Sequence, residues 1–345
     1  MTKDHDALRL AVVGLRHGIE HTDVIDRRPD TVVAAVCDLD PARCKRFTGR
    51  RDVAIHQDYQ RMLAETALDG VVIATPLALH GEMAVAALQR DLHVLLEKPF
   101  TVTMEEARSV QAAGQKSQGI CQIGYEMRSS PLMLKVKEVL TSGALGRVVL
   151  LWANMFRGGS ESQWRNDRAT CGGVFFDCFV HEINELLCWA DADFERVAAF
   201  GAPVGEKGRC ADVSPETVVG CMEFDNAIRA SVCFSSVSQT TDNTHFGVVG
   251  VDGRIDGNPW RPEGAGSLRI YTHDGLFRTE VVIDGKKAST GHLGFAEQYD
   301  FFVRGARDGT ALICDVDDAI RTQRAMKAFD RALAEGRVVQ RREIE

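Results

Sequence analysis

The chain has 345 residues, of which 45% are hydrophobic and 26% are charged, and its formal net charge is -8. This length favours two domains, because a single hydrophobic core usually stops growing before about 300 residues. A large nucleic-acid surface is disfavoured, since it needs clustered lysines and arginines. No run approaches the roughly 18 apolar residues of a membrane span. We therefore expect neither a nucleic-acid nor a membrane partner.

The amino-terminal residues and the cysteines predict a cytoplasmic protein. Residues 1–9 are polar and mixed in charge, without the basic start and apolar core of a secretory signal. The ten cysteines include no CxxC pair, and most stand in apolar runs such as Ala35-Val36-Cys37. We expect free, buried thiols in a reducing compartment rather than disulfides or a zinc site. No spacing of His, Asp and Glu predicts a metal site.

The first part of the chain alternates short apolar, β-rich runs with helical periodicity. The predicted strands are residues 10–14, 32–38, 70–75, 93–97 and 121–124. Such alternation is typical of parallel βαβ units. Thr103, followed three residues later by Glu106, predicts a capping box at the start of a helix. We expect an α/β, doubly wound Rossmann domain over residues 1–124, with its ligand site at the carboxyl ends of the strands.

Beyond residue 125 the pattern changes to α+β. Helices are predicted over residues 131–143, 174–189, 295–307 and 316–335. Thr217 to Phe234 reads as two strands joined at Asp225-Asn226. Further Asp-Gly turn signals stand at Asp252, Asp274 and Asp284. Consecutive strands with tight turns predict a second domain over residues 125–345, built on a largely antiparallel open β-sheet.

The first strand leads into Gly14-Leu15-Arg16-His17-Gly18, where a dinucleotide-binding protein carries GxGxxG. The match is incomplete, because Arg16 replaces the second glycine and Gly18 comes one residue early. Two interpretations stay open from the loop alone. It is a plain strand-to-helix turn, or it is a pyrophosphate site at a helix N-terminus, to which Arg16 adds a positive charge.

Asp38 ends the second predicted strand, 24 residues after Gly14. This is close to the spacing at which an acidic side chain binds the adenosine ribose hydroxyls. A carboxylate there would repel a 2′-phosphate, so Asp38 predicts NAD rather than NADP as the cofactor. The alternative is an ordinary surface or capping aspartate.

Several motifs follow one another in a fixed order. They are Ala74-Thr75-Pro76 with His80, then Glu97-Lys98-Pro99, then Tyr125, Met127, Arg128 and Pro131, then Gly172-Gly173-x-x-x-Asp177-x-x-x-His181, and finally Cys314 to Ala319. Together they resemble the Gfo/Idh/MocA oxidoreductase family, whose members carry ATPxxxH, EKP and GGxxxDxxxH segments. The resemblance spans nearly the whole chain, and the glycine loop is its main departure.

The motif residues also have a chemical interpretation of their own. Lys98 follows a strand end, and the proline after it restricts the Lys98 backbone, which fixes the direction of the side chain. Asp177 and His181 are four residues apart on a predicted helix, so they share a face. Taken alone, the lysine could be a solvated charge and the Asp/His pair a structural hydrogen bond.

The resemblance implies an NAD-dependent dehydrogenase that reversibly oxidises a secondary alcohol. It implies that His181 transfers the hydroxyl proton, Lys98 stabilises the developing alkoxide, and Asp177 orients His181 and the substrate. The expected cofactor-binding residues are Gly14, Arg16, His17, Gly18, Asp38, Thr75, Pro76, His80, Glu97 and Lys98. The expected substrate-binding residues are Tyr125, Arg128, Trp164 and Arg165. His21 and His292 are left without a role.

The same resemblance points to a sugar, an inositol or another polyol or glycoside as the substrate, and to a homodimer or homotetramer. Two alternatives stay open. One is a glycosidase of related fold that uses tightly held NAD for transient oxidation. The other is a non-catalytic, dinucleotide-sensing regulator, because function lies in the site and not in the fold.

Overall fold

A computed structural model of the protein describes residues 7–158, 173–202, 215–238, 243–260, 266–273, 278–284 and 293–344. Contacts divide the chain into two compact units. The first is Met1–Tyr125 with Ala296–Ile320, and the second is Glu126–Phe295 with Arg321–Glu345. Residues 296–320, which the sequence analysis placed with the second domain, therefore group with the first unit. The division of functions between two domains stays a prediction.

The first unit contains a six-stranded, fully parallel sheet. Its strands are β1 Leu8–Val13, β2 Thr31–Cys37, β3 Ala54–His56, β4 Gly70–Ile73, β5 His93–Glu97 and β6 Cys121–Gly124. Their spatial order is β3-β2-β1-β4-β5-β6, which reverses direction between β1 and β4. This order confirms the predicted doubly wound Rossmann fold and places its switch point at the ends of β1 and β4.

The described residues form eight α-helices. They are α1 Leu15–Arg27, α2 Tyr59–Glu65, α3 His80–Leu88, α4 Met104–Gly114, α5 Pro131–Ser142, α6 Val174–Ala190, α7 Gln298–Asp308 and α8 Val316–Glu335. The predicted capping box is present at α4, where Thr103 accepts a bond from the Glu106 N–H and Glu106 accepts one from the Thr103 N–H. Helix α5 begins at Pro131 and ends before Gly143, whose φ of 73° suits a glycine C-cap.

The second unit contains a nine-stranded sheet in the order β14-β13-β12-β11-β7-β10-β9-β8-β15. The strands are β7 Val148–Gly158, β8 Phe194–Ala202, β9 Thr217–Phe224, β10 Arg229–Ser238, β11 Asn243–Gly250, β12 Gly253–Trp260, β13 Ser267–His273, β14 Arg278–Asp284 and β15 Val339–Gln340. All pairs are antiparallel except β7 with β10. The sheet is therefore largely antiparallel, as predicted. The parallel pair is possible because a long connection separates β7 from β10 in the chain.

Helix α6 lies against one face of this second sheet. The ring of Phe175 stacks on Phe179 at 5.4 Å between centroids and meets Phe234 of β10 edge-on, also at 5.4 Å. Phe329 of α8 contacts the same Phe175 ring at 6.1 Å. These fully buried aromatic side chains form the core that fixes α6 on the sheet.

The predicted turns are present where the chain is described. Residues 225–228 connect β9 to β10, and Asp252 lies between β11 and β12. The turn expected at Asp274, and the residues that follow Asp284, lie outside the described part of the chain.

The cysteines agree in part with the prediction of free, buried thiols. The eight described ones are all free. Cys37, Cys44, Cys121, Cys178 and Cys314 are buried, Cys188 and Cys233 are partly buried, and Cys221 is exposed. Cys171 and Cys210 lie outside the described residues. Within the described ranges, no helix combines the length and the apolar character that crossing a membrane requires.

Candidate active site

The strand-to-helix turn after β1 depends on Gly14. This residue has φ of 84°, in the left-handed region that favours glycine. A Cβ at this position would lie 2.5 Å from the carbonyl oxygen of Ala74. The turn therefore lies against the end of β4, and glycine is required there both by the backbone conformation and by the space.

Glycine is required at Gly18 for a different structural reason. A Cβ on this residue would lie 2.8 Å from Cγ1 of Val12 and 3.5 Å from Cβ of Ala74. It thus allows the close packing of α1 on the sheet that the third glycine of GxGxxG provides. The loop keeps the first and third glycine roles despite its shortened spacing. Arg16, which is exposed, stands where the second glycine would allow close approach of a pyrophosphate.

Asp38 lies at the carboxyl end of β2 with its side chain almost buried. Its Oδ2 accepts a hydrogen bond of 2.7 Å from the N–H of Leu15, the first residue of α1, and its Oδ1 accepts one of 2.8 Å from Asp40. Arg43 lies 3.4 Å from the same carboxylate. Two backbone bonds leave acceptor capacity on a carboxylate, so Asp38 can cap the turn and still accept a ribose hydroxyl.

His80 joins two loops at the same edge of the parallel sheet. It is 1% exposed. Its Nε2 lies 2.9 Å from the carbonyl oxygen of Thr75, and its Nδ1 lies 2.9 Å from that of Pro99. Burial lowers the pKa of His80, although the carbonyl oxygens around it act in the opposite direction. His80 itself is closed to solvent, whereas Thr75 is partly exposed and Pro76 is exposed.

Glu97, at the end of β5, is held by a histidine that the sequence analysis left without a role. Its Oε1 lies 2.9 Å from Nε2 of His21, and its Oε2 accepts a bond of 3.1 Å from the N–H of Lys98. Burial acts to raise the pKa of Glu97, but the hydrogen bond from His21 and the nearby charge of Lys98 act against it, and the pKa is lowered below its usual range. Glu97 is therefore ionised. The Lys98-Pro99 peptide bond is cis.

The other ring nitrogen of His21, Nδ1, also has a hydrogen-bond partner. Its Nδ1 lies 2.8 Å from the hydroxyl of Tyr299, and both side chains have no exposed surface. The only signal for His21 in the sequence is its position one helical turn after His17. Its contact with Glu97 is visible in the structure alone. No local pattern predicts Tyr299, which is 278 residues further along the chain.

His17 lies beside this pair and is partly exposed. Its Nε2 is 4.0 Å from Oε1 of Glu97, and its Nδ1 is 3.9 Å from Oε1 of Glu20. Burial lowers the pKa of His17, against the opposing effect of the Glu97 charge. Within the described ranges, His17, His21 and Glu97 are the group whose possible metal-ligand atoms lie within 4.8 Å of one another. A cation there would have to replace the contact between His21 and Glu97.

In the second unit, the polar residues of interest lie on α6, which is buried on nearly all sides. Asp177 is 4% exposed and His181 is 9% exposed. Nε2 of His181 lies 3.8 Å from Oε1 of Glu126, a residue that the sequence analysis did not select. The first turn of α6 carries Asp177, where the helix dipole stabilises a negative charge.

Two more acidic residues of α6 were not predicted from the sequence as site residues. Glu182 and Glu185 are each 3% exposed and border a small cavity with Met133 and Trp189. Burial raises the pKa of Glu185 to about 7, although Arg128 acts to lower it. Its Oε1 has no hydrogen-bond partner in the described part of the chain. An apolar helix that buries Asp177, His181, Glu182, Asn184 and Glu185 carries an unusual density of polar groups for a purely structural element.

The residues expected to bind substrate are only partly described. Tyr125 is 1% exposed and Arg128 is 6% exposed, so both are buried. Trp164 and Arg165 lie outside the described residues, as does Gly172 of the glycine pair before α6. Their roles, like those of Lys98, Asp177 and His181, stay predictions.

The sequence matches two family profiles. The one described as "Oxidoreductase family, NAD-binding Rossmann fold" matches residues 8–125. The one described as "GFO/IDH/MocA C-terminal domain" matches residues 133–256. Together they cover more than half of the chain; the first range includes His17, His21 and Glu97, and the second includes Asp177 and His181.

Similar proteins of named activity include dehydrogenases of both cofactor types. The scyllo-inositol 2-dehydrogenase (NAD(+)) of Bacillus subtilis is 24% identical over 256 residues, 72% of this chain and 73% of the relative. The D-xylose 1-dehydrogenase [NADP(+)] of Haloarcula marismortui is 27% identical over 254 residues, 72% and 67% of the two chains. Among solved structures, GenD2 from gentamicin A biosynthesis in complex with NAD has a TM-score of 0.83 and 22% identity, covering 99% of this chain and 98% of that one.

Proposed function

Because the chain belongs to the Gfo/Idh/MocA oxidoreductase family, we propose that it reversibly oxidises a secondary hydroxyl of a sugar, inositol or related polyol with NAD. The observation that carries the proposal is the arrangement at the carboxyl edge of the parallel sheet. There the turn at Gly14, the acid Asp38 and the segment around Lys98 follow β1, β2 and β5. Ligands of open α/β sheets bind at this edge, on either side of the switch point.

These residues fit a dinucleotide. Gly14 and Gly18 let α1 start close to the sheet, and Asp38 holds the first N–H of that helix while retaining acceptor capacity for a ribose. A bound nicotinamide supplies the hydride acceptor. We propose NAD as the cofactor because the Asp38 carboxylate would repel a 2′-phosphate. Arg43, 3.4 Å from Asp38, is the nearby group that would favour the phosphate, which makes direct comparison of the two cofactors necessary.

The chain's own residues then bind and deprotonate the substrate. We propose that His181 accepts the hydroxyl proton, since an imidazole is suited to proton transfer near neutral pH. Asp177, one turn earlier on α6, binds a neighbouring hydroxyl and orients His181. Lys98 donates a hydrogen bond to the reacting oxygen and stabilises its developing negative charge. Tyr125, Arg128, Trp164 and Arg165 are proposed to contact the substrate.

The substrate class is supported by the chemistry of α6 and by relatives named for inositol and xylose. A polyol offers many hydroxyl groups, each both a donor and an acceptor. Carboxylates and an imidazole on one buried helix provide matching partners.

One face of the second sheet supports the proposal of a homodimer or homotetramer. Phe200 and Val219 are cross-strand neighbours, 76% and 59% exposed. Leu150 and Phe156 of β7 point to the same face by register and are 39% and 36% exposed. Exposed apolar side chains grouped on one face are typical of a subunit interface.

The experiment that tests the proposed function is a substrate panel of inositols, free aldoses, methyl glycosides and amino sugars. Each is incubated with the protein and NAD or NADP, and the NADH or NADPH absorption band is followed. Net reduction of the cofactor with a polyol supports the proposal. Release of the aglycone from a glycoside without net reduction would favour the glycosidase alternative. Cofactor binding without either reaction would favour a sensor.

A further inference from the structure

We infer that Tyr299 and His21 are positioning residues, which hold Glu97, and through it the Lys98 backbone, by a hydrogen-bond relay. In this relay the Tyr299 O–H donates to Nδ1 of His21, and the Nε2–H of His21 donates to Oε1 of Glu97. The Lys98 N–H donates to Oε2 of Glu97. The catalytic consequence rests on the proposed function, whereas the relay itself can be measured without any substrate.

The direction of the relay follows from what each group can donate. Glu97 is ionised, so both of its oxygens only accept. The nitrogen of His21 that faces it at 2.9 Å must therefore carry a proton. Burial holds the pKa of Tyr299 well above its usual range, so its hydroxyl keeps its proton. Among the residues that the structure describes, Nδ1 of His21, at 2.8 Å, is the acceptor for that proton, which makes His21 the neutral Nε2–H tautomer.

The relay lies entirely within the first unit and is closed to water. His21 and Tyr299 have no exposed surface, and Glu97 is 5% exposed. A hydrogen bond in such surroundings is stronger than in water, and an unpaired group is correspondingly costly. The carboxylate therefore has one favoured orientation, in which its second oxygen meets the Lys98 N–H.

A second contact fixes Tyr299 relative to α1. Arg28, seven residues after His21, donates to Asp300, the neighbour of Tyr299, with 2.6 Å between Nη1 and Oδ1. Arg28 directly follows the last residue of α1 and has an extended backbone, so this contact lies at the carboxyl end of α1, whereas His21 lies within the helix. Gln122 of β6 also donates to the carbonyl oxygen of Gln298. Helix α7 is thus attached at three points, and the tyrosine is held in place by more than its own hydroxyl.

What the relay controls is the backbone at Lys98. A catalytic ammonium at the end of a long side chain needs a fixed starting point, because small displacements from productive geometry reduce turnover. Glu97 also provides a negative charge whose interaction with Lys98 is favourable. The relay therefore makes the position of Lys98 depend on a helix close to the end of the chain.

The first test uses amide hydrogen exchange at Lys98, measured by NMR on the full chain without cofactor. Tyr299→Phe removes only the hydroxyl, and it should accelerate exchange of the Lys98 N–H about fivefold, the effect of losing one hydrogen bond. Tyr59→Phe is the matched control, since it removes a hydroxyl that donates to Met83 in the same unit. Equal Lys98 exchange in both variants and the wild type would overturn the inference.

The second test determines the tautomer of His21 directly. Its decisive measurement is made on the wild-type protein, and one variant is added for comparison. In wild-type protein with ¹⁵N-labelled histidine, only Nε2 of His21 should carry a proton. Glu97→Gln offers an amide that can donate to His21, and it should raise the population of the Nδ1–H form. A wild-type His21 protonated at Nδ1, alone or together with Nε2, would overturn the proposed direction of the relay.

The third test separates this inference from the proposed function. With any polyol that is oxidised, Tyr299→Phe should lower kcat about threefold to tenfold and leave the KM for that polyol close to that of the wild type. Tyr59→Phe should change neither. If no polyol is oxidised, the proposed function fails while the exchange and tautomer results still decide the relay. If turnover is found and Tyr299→Phe leaves kcat unchanged, the catalytic role of the relay is excluded.

Discussion

His181 and Glu126 face each other in the second unit, with 3.8 Å between Nε2 and Oε1 and with both residues 9% exposed. A buried carboxylate at this distance stabilises a positive charge on the imidazole. If His181 accepts the substrate proton, Glu126 therefore assists the step by favouring the charged product of that transfer. The pair gives the proposed base a partner that the sequence motif did not include.

The first prediction concerns the two proposed catalytic groups. His181→Ala and Lys98→Ala should each lower turnover by roughly two orders of magnitude or more, the usual scale for acid-base and electrostatic groups. Steady-state kinetics on the substrate found by the panel provide the measurement. His273→Ala and Lys116→Ala alter exposed residues of the same types and should leave turnover unchanged. Near-normal rates in both catalytic variants would contradict the assignment.

The second prediction concerns cofactor choice. Asp38→Asn removes the charge that would repel a 2′-phosphate, and should improve NADPH binding relative to NADH about tenfold or more. Fluorescence titration with both reduced cofactors gives the two Kd values. Asp58→Asn is a suitable control, because Asp58 also accepts a backbone N–H at a helix start, from Arg61. An unchanged ratio of the Kd values would show that Asp38 does not select the cofactor.

The third prediction concerns the residue that replaces the second glycine of the loop. Arg16→Ala should weaken NADH binding about fivefold, since an exposed charge pair contributes roughly 1 kcal/mol. The difference should shrink as salt is raised, because salt screens exposed charges. Arg27→Ala, at the opposite end of α1, is the control. Equal affinity in Arg16→Ala and wild type at low salt would remove Arg16 from the pyrophosphate site.

The fourth prediction concerns the buried acid Glu185. Burial raises the pKa of Glu185 in the folded protein to about 7, above the ordinary glutamate value, so the stability that its neutral form contributes is fully present below about pH 4.5. The stability is lost as pH rises towards and through 7. Glu185→Gln should therefore raise the free energy of unfolding at pH 8 by about 3 kcal/mol more than at pH 4.

Urea unfolding at the two pH values measures this difference. Glu138→Gln changes an exposed helical glutamate paired with Lys135, and its effect on stability should be small at both pH values. A Glu185→Gln effect that is the same at pH 4 and pH 8 would show that Glu185 does not titrate between them.

The parallel sheet could be predicted from the sequence because each of its strands is marked by a local sequence pattern. Strands buried on both faces appear as short apolar runs, and β2 and β4 are almost fully buried. The capping box at Thr103 and the turn after Phe224 are equally local. Such features need only neighbouring residues, so one sequence is enough to predict them.

Contacts between distant segments could not be predicted in this way. His21 meets Tyr299 across 278 residues, and the parallel pairing of β7 with β10 depends on a long connection. The sequence motifs found Lys98, Asp177 and His181 but not the side chains around them. Glu185 lies in a helix that is otherwise mostly apolar, and Glu126 lies between motif residues without being part of the motif, so neither acid has a sequence pattern that predicts its place.

The two glycines at the start of α1 limit how the cofactor preference of this protein can be redesigned. A side chain at Gly14 would meet the Ala74 carbonyl at 2.5 Å, and one at Gly18 would meet Val12 at 2.8 Å. Both collisions involve the sheet itself, so substitutions there would displace α1 before they altered any ligand contact. A combinatorial library should therefore keep both glycines and vary Arg16, His17 and Arg43, whose side chains are at least partly exposed.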